Sequence, residues 1–296
     1  MMKLMFKNFL SVLLTISLAI LQVPTSIFAF GNDSHRNVSL HAFEDALNDC
    51  NLSNYICTGT KQAIRQYCTN PDRKEAGTWL GNYYEKHFFN IGTDPLDGDN
   101  AYSSMINHYN NSINYAKSKN WTYSIREMAQ SLHYLQDMCC PVHMWGYGFN
   151  RERVDLHTSL EAEWDAMWDS DKMGDCILEM QDQRLREHRN FEDISEIGMH
   201  FSQRALELYE KWIKNAKGGI FKHAFFIPNL LFNPIKSLKK DPLYDKNVDP
   251  DKGFKEGWKG IFNLPYIASY ELVLMWVNAV KLYDPPPPDR GICITQ

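Results

Sequence analysis

An apolar stripe runs along residues 121–137 and predicts that this segment is a helix. Ile125, Met128, Leu132 and Leu135 recur at the spacing of one helix face, and Pro141 follows shortly after. Weaker patterns of the same kind predict helices over residues 35–47, 79–89, 156–168, 184–216 and 265–283. Alternating patterns typical of strands are nearly absent. The sequence therefore predicts an all-α fold, organised as a single multi-helix domain.

The first 29 residues differ in composition from the rest of the chain. Lys3 and Lys7 precede an apolar run over residues 9–21, Pro24 follows the run, and Ala29 is a small residue suited to cleavage. This order predicts a signal peptide over residues 1–29 and a secreted protein comprising residues 30–296. A membrane anchor is the alternative, but a spanning helix needs roughly 20 apolar residues and this run is shorter.

Charge and cysteine content narrow the expected partners and chemistry. The formal net charge is −5, and loss of Lys3 and Lys7 makes it more negative, so no nucleic-acid partner is expected. The seven cysteines include no CxxC pair, which disfavours a thiolate zinc site. A disulfide between Cys50 and Cys57, which would close a short loop, is the favoured pairing in an exported protein, and the other connectivities stay open.

Two histidine–carboxylate pairs with the same spacing indicate a metal site. His133 and Asp137 stand four residues apart, which places both on one helix face, and His157 and Glu161 repeat this step. His143 lies between the two pairs, just after the predicted helix break. A single pair of this kind is more often a surface ion pair. Two pairs with a histidine between them, close together in sequence, predict a metal-binding cluster.

These motifs resemble those of the bacterial zinc-dependent phospholipases C, whose relatives are the zinc-dependent single-strand nucleases. The residues that carry the resemblance are Pro71-Asp72, His87-Phe88, His133-Tyr134-Leu135-Gln136-Asp137, Pro141-Val142-His143 and His157-Thr158-Ser159-Leu160-Glu161. Phe30 takes the place of the family's N-terminal Trp, and His35 follows it. The resemblance covers residues 30–161 and implies an all-α catalytic domain over residues 30–296.

The resemblance implies a hydrolase with three zinc ions. The implied ligands are Asp72, His87, His133 and Asp137 for one ion, His143, His157 and Glu161 for a second, and His35, Asp137 and the backbone of Phe30 for a third. Asp72 is the implied catalytic residue, because it would orient or deprotonate the water that attacks phosphorus. The implied reaction cuts the glycerol side of a phospholipid and releases diacylglycerol and a phosphorylated headgroup.

Three further residues correspond to the family's headgroup pocket. Asp33 and Tyr84 match positions that surround the cation of choline in family members that favour it. Arg73 stands where choline-preferring relatives carry an aromatic residue, and it would instead meet phosphate or an anionic headgroup. A solvated loop position is the alternative for Arg73. The expected partner is phospholipid at a membrane surface, and the expected oligomeric state is a monomer.

Two other functions compete with that of a phospholipase. A nuclease of the same superfamily would use the same chemistry, but Glu161 and the negative charge disfavour it, since the nucleases usually carry Asp there. A non-catalytic zinc-binding or membrane-binding protein would be favoured by a missing ligand, and the motif lacks none. Residues 218–251, rich in Phe, Leu and Lys, are expected either to meet lipid or to cover the domain's own core.

Overall fold

Helices make up the regular structure of the protein in its computed structural model, which describes residues 32–53, 57–75, 86–92, 94–140, 143, 189–209 and 250–280. The helices within these residues are α1 (Asn32–Asp49), α2 (Thr58–Tyr67), α3 (Asn70–Glu75), α4 (Ala101–Lys117), α5 (Trp121–Met138), α6 (Ile194–Tyr209) and α7 (Pro250–Val280). The same residues contain no strand, which confirms the predicted all-α class. The signal peptide and the domain over residues 30–296 stay predictions.

Helices α4 and α5 form an antiparallel hairpin held together by buried serines. Ser112 Oγ donates to the carbonyl of Ser124 at 2.7 Å, and Ser124 Oγ donates back to the carbonyl of Ser112 at 2.8 Å. Further along the same interface, Ser131 Oγ donates to the carbonyl of Met105 at 2.8 Å. All three serines are fully buried, so their small side chains let the two backbones approach closely while every hydroxyl keeps a partner.

Helices α1 and α7 run parallel to one another and are joined by two tyrosine–aspartate hydrogen bonds. Tyr266 Oη donates to a carboxylate oxygen of Asp45. One turn further along both helices, Tyr270 Oη donates to Asp49 at 2.9 Å. Because α1 carries His35, this pairing connects the C-terminal helix to the element that holds one of the predicted metal ligands.

Trp276 lies at the point where these two helix pairs meet. Its side chain is among the largest that are fully buried in the described part of the chain. The ring contacts Phe43 of α1, with ring centroids 5.8 Å apart, and Nε1 donates to Ser112 Oγ of α4 at 2.7 Å. Helix α6 also approaches α4 closely at Gly198, where a Cβ atom would come within 2.7 Å of Met105. The result is one continuous apolar core.

Two of the predicted helix boundaries are wrong. Helix α7 begins at Pro250 and continues through Pro265, the residue at which the sequence pattern predicts its start. A proline inside a helix removes one backbone hydrogen bond, and burial of nearly all residues from 263 to 280 outweighs that loss. The helix predicted over residues 79–89 ends at His87, because the N–H of Phe89 donates to the carbonyl of His143 at 3.1 Å instead of continuing the helix.

The sequence patterns do not predict α2, α3 or α4. Helix α4 is nevertheless well specified at its start, where Asn100 and Ser103 form a reciprocal capping box. Its buried face mixes Tyr102 and Tyr109 with small residues, so it is less apolar than that of α5 and gives a weaker periodic signal. The helix predicted over residues 156–168 lies outside the described residues, as does the segment 218–251 except for its last two residues, which begin α7.

The cysteines also differ from expectation. Cys50 is a free thiol, so the predicted disulfide between Cys50 and Cys57 is wrong. Cys50 follows α1 and packs against the core, whereas Cys57 precedes α2 with its Sγ atom 3.4 Å from Thr60 Oγ1. Among the helices that the structure describes, none is long and apolar enough to span a bilayer.

Candidate metal centre

The middle of α5 is buried on every side and carries two of the predicted ligands. Residues 128–138 are all buried, so this stretch of the helix lies inside the core. His133 and Asp137 are both fully buried, and their four-residue spacing brings His133 Nε2 to 3.3 Å from Asp137 Oδ2. A surface ion pair, the common alternative for such a motif, is therefore ruled out for these two residues.

A first cluster forms where α3 and the short helical turn at His87 meet α5. His133 Nε2 lies 3.2 Å from His87 Nδ1 and 3.6 Å from Asp72 Oδ1. His87 Nδ1 lies 4.0 Å from Asp72 Oδ1 and 2.7 Å from Asp137 Oδ2. Donor atoms bound to one zinc ion lie roughly 3.2–3.6 Å apart, because each bond is about 2.0–2.2 Å long. The distances from His133 Nε2 to His87 and Asp72 fall in this range, and ligand atoms of these three fully buried residues lie close enough together to bind one ion.

A second cluster shares α5 with the first and adds His35 from the first turns of α1. His35 Nε2 lies 3.6 Å from Asp137 Oδ1, the carboxylate oxygen that the first cluster does not use. The rings of His35 and His133 are 4.1 Å apart between centroids and tilted by 30°. Ligand atoms of His35, His133 and Asp137 lie close enough together to bind one ion. Asp137 therefore belongs to both clusters, with one oxygen facing each.

His143 is held at the edge of the second cluster by contacts with the segment that carries His87. Its Nδ1 donates to the carbonyl of His87 at 2.8 Å, and its own carbonyl accepts from the N–H of Phe89 at 3.1 Å. The ring stacks on Phe88 with centroids 4.6 Å apart. Donation from Nδ1 puts the ring's lone pair on Nε2, which is the form that binds a metal. Nδ1 itself is 3.8 Å from Asp137 Oδ1.

The electrostatics of the centre favour the protonation states that metal binding requires. Burial acts to raise the pKa of Asp137, but the imidazoles of His133, His143 and His87 lower it, and the pKa lies well below its ordinary value. Burial, together with the neighbouring His133, holds the pKa of His35 well below its ordinary value. A carboxylate and neutral imidazoles are the forms that ligate metals.

One orphaned atom provides a direct test of whether the residues fit a metal. Asp137 Oδ1 is buried without a hydrogen-bond partner in the residues that the structure describes. It faces His35 Nε2 at 3.6 Å and His143 Nδ1 at 3.8 Å, distances too long for hydrogen bonds. A buried carboxylate oxygen left in this way costs free energy, and a cation bound between it and His35 Nε2 would satisfy it. The donor set therefore fits a metal ion.

The structure brings together six of the residues predicted to bind metal. All are fully buried: His35, Asp72, His87, His133, Asp137 and His143. The remaining predicted ligands, Phe30, His157 and Glu161, lie outside the described residues, as does Tyr84. Arg73 belongs to α3, but its side chain is likewise outside what the structure describes.

Asp33, the remaining headgroup candidate, is exposed rather than part of the buried clusters. Its carboxylate accepts from Arg36 at 3.0 Å. It lines an open cleft of about 420 Å³ between α1 and α2, together with Arg36, Asn37, Gln62, Arg65 and Gln66. Two guanidinium groups make this cleft more suited to an anion than to a cation.

Gln136 is a buried polar residue of the site that the sequence patterns do not single out. Its amide contacts His35 Nδ1 at 2.6 Å, and it is fully buried. Glutamine is not a usual zinc ligand, so a search for ligand spacing passes over it. The sequence does contain one signal for Gln136. It lies in the same helical turn as His133 and Asp137, and this helix carries more polar residues than a fully buried helix usually does.

Buried histidine and aspartate clusters in this chain could hold a metal ion. Comparison with known proteins gives no match, either to a family model or to the sequence of a curated protein. The inferences below therefore start from the geometry of the buried side chains and from the sequence motifs described above.

Proposed function

We propose that the protein is a secreted, zinc-dependent phosphodiesterase that acts as a phospholipase C. The observation that carries this proposal is the position of Asp137, whose two carboxylate oxygens face two buried clusters of histidines. A carboxylate that could contact two adjacent metal ions suits phosphodiester hydrolysis, since neighbouring cations can act on both the attacking and the leaving oxygen. The motif resemblance supports the choice of a phospholipid as the diester.

The donor set favours zinc over calcium or magnesium. Imidazole nitrogens outnumber carboxylates among the buried ligands, whereas calcium and magnesium sites are built from oxygen atoms. His87, His133, Asp72 and Asp137 would hold one ion, and His35 and Asp137 with the Phe30 backbone a second. His143 would hold a third with His157 and Glu161. When bound, such ions offset the charge of the phosphodiester and lower the pKa of water.

Asp72 has the position expected of the residue that handles the attacking water. It lies in the short helix α3, where Pro71 stands just before it and suits a first-turn position. Its Oδ1 atom faces His133 and His87 at 3.6 Å and 4.0 Å, so the carboxylate borders the first cluster. There it accepts a hydrogen bond from water and orients the water towards phosphorus, and it takes the proton as the new P–O bond forms.

The substrate's headgroup would meet the cleft between α1 and α2. Arg36, the residue that follows His35 on α1, and Arg65 of the neighbouring helix α2 line this cleft. Guanidinium groups there suit the phosphate oxygens of a phospholipid or an anionic headgroup better than choline. Water would attack phosphorus opposite the glycerol oxygen, and the bond from phosphorus to that oxygen would break. The departing oxygen would take a proton from solvent, which gives diacylglycerol and a phosphorylated headgroup.

The deciding experiment measures hydrolysis by the protein beginning at Phe30. Mixed micelles that contain both phosphatidylcholine and an anionic phospholipid, and single-stranded DNA, are supplied to the same sample, with and without a chelator. We expect diacylglycerol release that stops on chelation and returns with added zinc. Cleavage of DNA without lipid hydrolysis would assign the protein to the nucleases instead. Bound zinc without turnover of either substrate would show that the centre is not catalytic.

A pair of aspartate variants tests the role of Asp72 in the same assay. Asp72→Asn keeps the shape of the side chain but can neither ligate as strongly nor accept the proton, so turnover should fall by at least about 100-fold. Asp97→Asn changes an exposed carboxylate and serves as the matched control. Similar rates in the two variants would remove Asp72 from the mechanism.

A further inference from the structure

We infer that Gln136 is a positioning residue that fixes the tautomer and orientation of His35 and so presents His35 Nε2 to a metal ion. The inference rests on the metal-binding part of the proposed function and is independent of the substrate. Gln136, His35 and the two serines that contact the amide are each fully buried. The contacts are therefore free from competition with bulk water.

The Gln136 amide has a defined partner at each of its atoms. Its Nε2 atom donates to Ser39 Oγ and to Ser269 Oγ, each at 2.9 Å. Its Oε1 atom lies 2.6 Å from His35 Nδ1. With both N–H groups used on the serines, Oε1 is an acceptor, so His35 Nδ1 carries the proton and donates it.

This hydrogen bond decides where the lone pair of His35 lies. A neutral imidazole protonated on Nδ1 has its lone pair on Nε2, the atom that faces Asp137 Oδ1 at 3.6 Å. A flipped Gln136 amide would donate to Nδ1 and leave the proton on Nε2, where it would block metal binding. The orientation of the Gln136 amide therefore determines which tautomer His35 adopts.

The serines explain why the amide keeps this orientation. Ser39 lies on α1 one turn after His35, and Ser269 lies on α7. Gln136 itself projects from α5, between the first-cluster residue His133 and the shared Asp137. Three helices therefore contribute to the support of one ligand, and the C-terminal helix acts on the centre without contributing a metal ligand from its described side chains.

Two substitutions separate positioning from a merely structural role. Gln136→Met keeps the length of the side chain and removes every hydrogen bond. Gln136→Glu keeps an acceptor for His35 Nδ1, while the serine hydroxyls can rotate to donate to its other oxygen. Gln130→Met is the matched control, because Gln130 is a nearly buried glutamine on the same helix whose Nε2 atom donates to the backbone carbonyl of Arg126 at 3.4 Å.

Zinc affinity, measured by competition with a chromophoric chelator, is the first readout. We expect Gln136→Met to hold one zinc equivalent about 10–100-fold more weakly, while Gln136→Glu and Gln130→Met bind within a few-fold of wild type. A purely structural role predicts the opposite order, since a buried carboxylate disturbs an apolar packing position more than methionine does. Wild-type affinity in Gln136→Met, or equal weakening in both Gln136 variants, would overturn the inference.

The tautomer of His35 in metal-free protein is the second readout, and it does not depend on activity. Nitrogen-15 NMR of histidine-labelled protein distinguishes the two tautomers, and loss of a signal in His35→Asn identifies the residue. We expect the Nδ1-protonated form in wild type and Gln136→Glu, and loss of that preference in Gln136→Met. A protonated Nε2 in wild type would contradict the inference, whereas absence of lipid hydrolysis with these results intact would contradict only the proposed substrate.

Discussion

Asp137 is the single side chain on which the metal centre depends most. Its Oδ2 atom lies 2.7 Å from His87 Nδ1 and 3.3 Å from His133 Nε2. Its Oδ1 atom lies 3.6 Å from His35 Nε2 and 3.8 Å from His143 Nδ1. Within the described residues, no lysine or arginine forms an ion pair with this carboxylate. A buried carboxylate oxygen without a hydrogen-bond partner among the described residues is costly in the metal-free protein, and that cost is removed when a cation binds.

Replacing Asp137 should therefore remove more than one metal ion. We expect Asp137→Asn to lose two zinc equivalents, because one oxygen belongs to each of the two clusters. Metal content after gel filtration measures this, with Asp97→Asn as an exposed aspartate control. Retention of the wild-type zinc content in Asp137→Asn would show that this carboxylate does not bridge.

Cys68 provides a residue-scale test of burial that does not involve metal. Burial raises the pKa of the Cys68 thiol to about 12 from 9.0. Because the thiolate is the nucleophile, native Cys68 should alkylate roughly a thousandfold more slowly at pH 8 than an unperturbed thiol, before its inaccessibility is counted. Mass spectrometry after a short iodoacetamide pulse measures this.

The half-exposed thiol of Cys50 supplies the internal reference for that experiment. Cys50 should label in the folded protein, and both cysteines should label in denaturant. Because folding raises the pKa of the Cys68 thiol, the slow alkylation of Cys68 should persist as the pH rises through 9. It should be lost as the pH approaches the pKa of about 12 that this thiol has in the folded protein. Equal labelling of Cys50 and Cys68 in native protein would contradict the burial described here.

At the scale of helices, the contact of α4, α5 and α7 around Ser112 is the most tightly bonded junction in the described core. Ser112 Oγ donates to the carbonyl of Ser124 and accepts from Trp276 Nε1, both at 2.7 Å. One hydroxyl thus satisfies a buried carbonyl and a buried indole N–H. The buried indole N–H cannot turn to water, so it depends on this serine.

Removing that hydroxyl should destabilise the fold measurably. We expect Ser112→Ala to lower the free energy of unfolding by about 1–3 kcal/mol, because it leaves the Trp276 N–H buried without an acceptor. Urea denaturation followed by circular dichroism gives the value. Ser118→Ala removes an exposed hydroxyl at the end of the same helix, whose Oγ donates to the carbonyl of Asn114, and should change stability by less than about 0.5 kcal/mol. Equal effects would contradict the proposed junction.

Local patterns in the sequence predicted α5 and its ligand pair because the information lies within a few residues. The apolar stripe and the four-residue spacing of His133 and Asp137 are both properties of one helix. Helix α7 shows the limit of this reasoning, since Pro265 suggests a start and only the tertiary burial of the following turns explains a longer helix. Tertiary packing thus overrides the tendency of a proline to mark the start of a helix.

The support of His35 could not be predicted in this way. Gln136 reaches His35 and Ser39 on α1 and Ser269 on α7, and these partners are distant in sequence. No periodic pattern links residues that meet only after three helices have packed. The motif resemblance suggested the candidate ligands, but the hydrogen bonds that would orient a ligand depend on the fold.

At the scale of the whole molecule, folding gathers candidate ligands from five separate parts of the chain, one of them His143 after α5, into one buried site. His35 comes from α1, Asp72 from α3, His87 from the segment before α4, and the α5 pair from the core. Such a centre has no counterpart in the unfolded chain, so metal binding should stabilise the folded state. The three-ion stoichiometry further depends on Phe30, His157 and Glu161 completing the ligand sets.

The most direct test is the number of zinc ions in active protein. Elemental analysis of purified protein beginning at Phe30, freed from loosely bound metal by gel filtration, should give about three zinc ions per chain. Treatment with a chelator should remove them, abolish hydrolysis and lower Tm, and added zinc should restore all three properties. Full activity with one zinc ion or none would contradict the proposed trinuclear centre.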